Sequence, residues 1–189
     1  MINFILVNAG IPMLVVLEPV LLLTLLPVVL LETWVLRQQM QESPAVKIFW
    51  SSLAANLIST LIGVPLFWAF WTILMGLLSY LLSWFAPTAM DPIGNLPPAL
   101  QAIVMPVWLA PYEYALDWTI PLALLVLFVP AYGVSAWMEA WIMQRWWAKT
   151  YSPALIRRQT WRANRYSYML LGAIVLVYLV VAIFTKFIK

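Results

Sequence analysis

The sequence predicts an all-α integral membrane protein: four transmembrane helices arranged as two similar helical hairpins, plus a short interfacial or re-entrant helix near 99–109. Three observations predict it. Of the 189 residues, 65% are hydrophobic and only 9% charged, whereas a soluble domain carries roughly 25% charged residues and needs them to keep its surface in water. Several apolar stretches reach the ~20 residues that a helix needs to cross a hydrocarbon core. The charges are also segregated along the chain, as they are in proteins whose loops alternate between the two sides of a bilayer.

The first seven residues, Met1 to Val7, carry no positive charge, and no small-residue cleavage site follows a short apolar core. A cleaved signal peptide is therefore not expected. Asn8, Gly10 and Pro12 break the chain before a first span over 11–31, which ends at Glu32 and Arg37. A second span covers 56–85. At helical rise it is ~40 Å long against a ~30 Å hydrocarbon core, so it has to tilt, bend or project. Gly63 and Pro65 offer a bend, because proline removes a backbone hydrogen bond.

The connection 86–117 holds Pro87, Pro92, Pro97, Pro98, Pro106 and Pro111. Its apolar part, 99–109, is too short to span and suits a helix lying in the interface or re-entering it. The third span covers 118–138 and the fourth 166–184. The whole chain forms a single membrane domain, 1–189.

Orientation follows from the basic residues of short loops. Arg37 and Lys47 follow the first span. Arg145, Lys149, Arg157, Arg158, Arg162 and Arg165 follow the third, so these two stretches hold eight of the ten basic residues. The intervening connection holds Asp91, Glu113 and Asp117 and no Lys or Arg. The loops 37–55 and 145–165 are thus expected to be cytoplasmic, or stromal in a thylakoid-type membrane, with both termini on the opposite side. A bacterial plasma membrane is the expected location. Lys186 and Lys189 dissent, and they reach the headgroups by snorkelling.

Arg157, Arg158, Arg162 and Arg165 are expected to contact anionic lipid headgroups. Aromatics are interleaved with them, but beside a membrane this pattern indicates topology control and lipid contact, and nucleic acid is not expected as a partner. Trp34, Trp50, Trp84, Trp118, Trp137, Trp141, Trp146, Trp147 and Trp161 sit where the bilayer interfaces fall, as an aromatic belt does. Pigment stacking is the alternative use of so much indole, and that choice stays open.

The two halves share an ordered pattern. Glu32-Thr-Trp34, Ser43-Pro44-Ala45 and Ala55-Asn56-Leu-Ile-Ser59 in the first match Glu139-Ala-Trp141, Ser152-Pro153-Ala154 and Ala163-Asn164-Arg-Tyr-Ser167 in the second. Glu32 and Asn56 are 24 residues apart, Glu139 and Asn164 25. The competing explanation is coincidence among short words in a biased composition. Common order at nearly common spacing favours an internal repeat, here of parallel type, with each basic loop about twenty residues long.

In each half a carboxylate at the end of one span and an amide at the start of the next lie at similar depth. Glu32 with Asn56, and Glu139 with Asn164, are expected to clamp their own hairpins, while Arg145, Arg162 and Arg165 are alternative partners for Glu139. The sharper reading makes the pairs a site for a proton or a cation. Glu18 is separate. It lies inside the first span, ~20 Å from the cytoplasmic end at helical rise, next to Pro19. Carboxylates within a membrane are candidates for function, although Glu18 can also reach the far headgroups or neutralise itself by protonation.

The chain has no Cys and no His. That excludes disulfides and thiolate chemistry, and it removes the commonest general base, metal ligand and haem ligand. No glycine-rich phosphate loop, nucleophile elbow, zinc-protease motif or calcium loop is present. No catalytic residue, metal or cofactor is expected beyond bound lipid. The function expected is a non-catalytic accessory, structural or assembly subunit of a larger membrane complex, with lipids and other membrane subunits, or itself, as partners. The alternative is a small homo-oligomeric transporter or channel for protons or cations built on Glu18. An enzyme acting on lipid at the basic interface ranks last, for want of a nucleophile and base.

Overall fold

A computed structural model describes residues 13–85, 97, 99–100, 103 and 116–187, with the backbone alone at 13–22 and at a few other positions within the helices. Among the described residues the chain is all-helical, with four long helices: α1 (Met13–Arg37), α2 (Ala45–Phe85), α3 (Leu116–Trp147) and α4 (Pro153–Phe187). Three segments are long and apolar enough to cross a membrane: Ala45–Leu78, Trp118–Trp147 and Pro153–Thr185. Of the helix expected over 99–109, only Ala99, Leu100 and Ile103 are described, and their backbone is helical. The remainder of that segment lies outside the described residues, as do residues 11 and 12 of the first expected span.

The helices outrun the expected spans on their basic sides. The two basic stretches are not loops of about twenty residues. The breaks are 38–44 and 148–152, and Lys47, Arg145, Arg157, Arg158, Arg162 and Arg165 all ride on helices. The physical reason is local. Nothing between Ala45 and Asn56, or between Pro153 and Tyr166, breaks a helix, and the Ser-Pro words start one. The Ser152 hydroxyl accepts from the Leu155 amide at 3.3 Å, and its carbonyl accepts from the Ile156 amide at 3.1 Å. Ser152 is therefore the N-cap, with Pro153 at the first helical position, where a missing N–H does no harm. In the first half the Pro44 carbonyl accepts from the Lys47 and Ile48 amides, and the Ser43 hydroxyl instead meets the Tyr151 hydroxyl at 3.0 Å. Ser152→Ala should weaken the first turn of α4 by about 1 kcal/mol, the typical worth of such a cap. Hydrogen exchange of the 153–157 amides should then speed up about fivefold, while the first turn of α2 stays as it was.

α2 runs unbroken through Pro65. The lost backbone bond at a proline is tolerated in long apolar helices, where neighbouring groups take up the freed carbonyl.

Two compact units divide the chain. One comprises Glu18–Pro65 and Phe128–Ala173; the other comprises Met1–Leu17, Leu66–Leu127 and Ile174–Lys189. The first unit holds a core of ten buried residues: Val35, Leu36, Met40, Ile48, Ala55, Ile142, Met143, Trp147, Ile156 and Ala163. They fall into five pairs of constant spacing. Val35 with Ile142, Leu36 with Met143, and Met40 with Trp147 are each 107 residues apart; Ile48 with Ile156, and Ala55 with Ala163, are each 108 apart. Trp147 belongs to this core with no exposed surface, and not to an interfacial belt. Its neighbours Tyr151 and Lys47 cap it, with Lys47 Nζ 4.4 Å above the ring. Trp34, Trp50, Trp137, Trp141 and Trp146 are exposed.

The second unit buries Phe67, Met75, Ala123, Leu127, Leu179 and Ala182. Phe67 stacks on Trp71, and the Thr72 hydroxyl donates to the Trp68 carbonyl at 2.8 Å, which keeps that polar group satisfied within its own helix. Outside these residues the unit presents large apolar side chains outward, among them Phe70, Ile73, Leu77, Tyr178 and Phe184.

Candidate functional site

The polar residues of the first unit converge on two carboxylates. Helical spacing brings them there. Ser52, Asn56 and Ser59 follow one another by four and three residues along α2, and Thr160, Asn164 and Ser167 do the same along α4, so each trio lies on a single face. Glu32 is flanked on α1 by buried Val28, Val29, Val35 and Leu36, and Glu139 on α3 by buried Ala136, Ala140, Ile142 and Met143. Each carboxylate therefore sits on the inward stripe of its helix.

Both are nearly inaccessible, with Glu32 2% and Glu139 1% exposed. Glu32 Oε2 accepts from Asn56 Nδ2 and from the Ser52 hydroxyl at 3.1 Å. Glu139 Oε2 accepts from Asn164 Nδ2 at 2.7 Å. Each hairpin thus joins its glutamate to its own asparagine. The remaining oxygens cross over. Glu32 Oε1 accepts from the Ser167 hydroxyl of the other hairpin at 2.7 Å, and Glu139 Oε1 accepts from the Ser59 hydroxyl at 3.1 Å. Asn56 Nδ2 also approaches Glu139 Oε2 at 3.5 Å, touching both carboxylates. The clamp is therefore not confined to each hairpin, as the spacing along the chain implied; half of it is exchanged between them.

The Ser135 hydroxyl adds a donor to Glu139 Oε1 at 2.8 Å and lies 3.4 Å from Ser59. Tyr168 in turn contacts Ser135 and packs edge-on against Phe128 and Tyr132. Ser52 and Thr160 stand at matching positions, 108 apart, but only Ser52 bonds to a glutamate, the Thr160 hydroxyl having no hydrogen-bond partner, and no word in the sequence marks Ser52. Ser135 has no counterpart, since Val28 stands at the matching place on α1.

No basic side chain among the described residues pairs with either carboxylate. The Arg145 guanidinium lies 3.9 Å over the Trp141 ring, and that of Arg162 lies 5.9 Å from the Tyr166 ring centre. The expected alternatives of Arg145, Arg162 or Arg165 as partners of Glu139 are thereby corrected. These side chains keep their charge at the surface, where solvation costs nothing, and spread over aromatic faces. Arg157, Arg158, Arg162 and Arg165 are all exposed. The Glu18 side chain lies outside the described residues.

The chemistry open to this centre is limited by its burial. The hydroxyls of Ser52, Ser59 and Ser167 are sealed in with the carboxylates, so no substrate reaches them in this arrangement. No group of three or more His, Cys, Asp or Glu residues is placed to hold a metal among the described residues. What remains is the joining of helices and the holding of charge. No protein-family model matches the chain, and no curated protein or solved structure is significantly similar to it.

Proposed function

We propose that this chain is a four-span membrane protein of two repeated hairpins, acting as a non-catalytic accessory or assembly subunit of a larger membrane complex. The observation that carries this reading is the contrast between its interior and its surface. Its polar groups are turned inward and spent on each other, while large apolar and aromatic side chains such as Trp34, Trp50, Phe70, Trp84, Trp137 and Phe184 face outward. Such a surface needs lipid or a neighbouring subunit to cover it. The repeat is supported by the constant 107–108 residue spacing of the core pairs and of the matching polar residues, Glu32 with Glu139 and Ser59 with Ser167. With Arg37, Lys47 and the basic run from Arg145 to Arg165 on one side, that side is cytoplasmic by the positive-inside rule, and Arg157, Arg158, Arg162 and Arg165 contact lipid headgroups there.

Native gels in gentle detergent, followed by mass spectrometry of the bands, test the subunit reading. A stable heteromeric band is the expected result. Migration only as a small homo-oligomer, at every detergent tried, removes it.

A second reading, translocation of protons or cations, is favoured by one specific observation: two buried carboxylates with no basic partner among the described residues. On this reading Glu18 would extend the path. Reconstituted liposomes should then show a proton or cation flux that falls at least tenfold in Glu18→Gln, and equal background flux from both proteins removes it.

A further inference from the structure

We propose that Glu32 and Glu139 form a binding site for a single proton, shared between the two hairpins, with Ser59 and Ser167 as its acceptors.

The charge count comes first. Two carboxylates are buried together, and every group that donates to them is uncharged: Ser52, Asn56, Ser59, Ser135, Asn164 and Ser167. Arg37 is exposed, and Lys47, Arg145 and Arg162 are turned to Trp147, Trp141 and Tyr166. The other titratable group facing the pair is the Tyr168 hydroxyl, a neutral neighbour engaged with Ser135. One amide, Asn56 Nδ2, draws both Oε2 atoms toward itself. Two full negative charges so placed repel each other and lose their hydration, and one proton removes most of both penalties.

A bound proton needs an acceptor, and the site holds two. The Ser59 oxygen lies 3.1 Å from Glu139 Oε1 and 3.0 Å from the Asn56 carbonyl. It has one hydrogen and cannot give it to both. With Glu139 ionised, Ser59 donates to the carboxylate. With the proton on Glu139 Oε1, that O–H donates to Ser59, whose hydrogen turns to the Asn56 carbonyl. Ser167 repeats the arrangement, 2.7 Å from Glu32 Oε1 and 3.0 Å from the Asn164 carbonyl. Either charge state is then fully hydrogen-bonded with no heavy atom displaced.

Asn164 does not act as an acceptor for this proton. Its amide nitrogen donates both to Glu139 Oε2 at 2.7 Å and to the Thr160 carbonyl at 3.3 Å. Turned end for end, the amide would set Oδ1 against that carbonyl, so Asn164 stays a donor to Oε2 in either charge state, and the proton on Glu139 belongs on Oε1. The ligand is thus a proton and not a metal ion, because the oxygens of the pair already face donor hydrogens and a metal would require those donors to turn away.

Infrared difference spectroscopy of the purified full-length protein in lipid nanodiscs tests this. Near neutral pH the native protein should show a carboxylic-acid carbonyl band that shifts in heavy water. The band should be weaker in both Glu32→Gln and Glu139→Gln, because the remaining carboxylate no longer faces a second negative charge, and it should vanish in the double variant. A native protein without the band, a band of undiminished strength in both single variants, or one that survives in the double variant overturns the proposal. Loss of the band on replacing choline by sodium in the buffer also overturns it, and assigns the pair to a metal cation instead. If a glutamine variant fails to fold, Ser59→Ala and Ser167→Ala serve in its place. At least one should raise the carbonyl frequency by removing the acceptor, and a band unmoved in both counts against the site.

Discussion

Glu139→Ala is expected to be the most damaging polar substitution in the chain, lowering stability by about 3 kcal/mol. Glu139 receives Asn164, Ser135, Ser59 and, more distantly, Asn56. Truncation leaves the Ser135 hydroxyl without its acceptor at 2.8 Å and leaves Ser59 and Asn164 only the backbone carbonyls of Asn56 and Thr160, and an orphaned buried group costs about 1–3 kcal/mol. Water entering the vacated space offsets part of the sum, and polar contacts between membrane helices average well under the value expected for a dry interior. The check is retention of the folded species on size exclusion after graded heating. Glu139→Gln, which keeps the shape and one carbonyl acceptor, should lose less than half as much. A double-mutant cycle between Glu139 and Ser59 should give a coupling of about 0.5–2 kcal/mol. Zero coupling there would mean that the crossed contact does not join the hairpins.

Trp147→Ala should have an effect of similar or greater size, about 3–5 kcal/mol, the usual range for emptying a buried tryptophan site. Trp147 is wholly buried among Met40, Ile48, Met143 and Ile156 and carries Lys47 on its face. Met40→Ala, at the matching place in the other hairpin, should cost about 2–5 kcal/mol. Trp141→Ala provides the contrast, since its ring is half exposed and an exposed substitution is usually within about 0.5 kcal/mol. The same heating assay ranks the three. Equal losses for Trp141→Ala and Trp147→Ala would contradict the placement of Trp147 in the core.

Much of the fold was legible in the sequence, because apolar run length and charge segregation report directly on long helices. Where the helices end was not. Residues 153–165 are polar and 45–55 carry Lys47, Ser51 and Ser52, so neither stretch joined the expected span, yet they hold no Gly or Pro beyond Pro153 itself, and a Ser-Pro start carries the helix on. The pairing of Glu32 with Asn56 and of Glu139 with Asn164 follows from local order along the chain. The crossing of Ser59 and Ser167 does not, because contacts over 80 and 135 residues depend on how two hairpins pack, and no local pattern encodes that. Trp147 is a related case: a run of indoles suggested one common environment, but helical phase turns Trp146 outward and Trp147 inward. Ser135 was invisible because its matching position, Val28, is apolar.

The exchanged hydroxyls bear on how the chain is made. Synthesis runs from the N-terminus, so α1 and α2 are complete while α4 is still to be translated. In that interval Glu32 has Ser52 and Asn56 but lacks Ser167, and Ser59 has no Glu139 to meet. The first hairpin made is thus a polar half-site, and its crossed hydrogen bonds can form only after the ribosome has added Glu139 and Ser167.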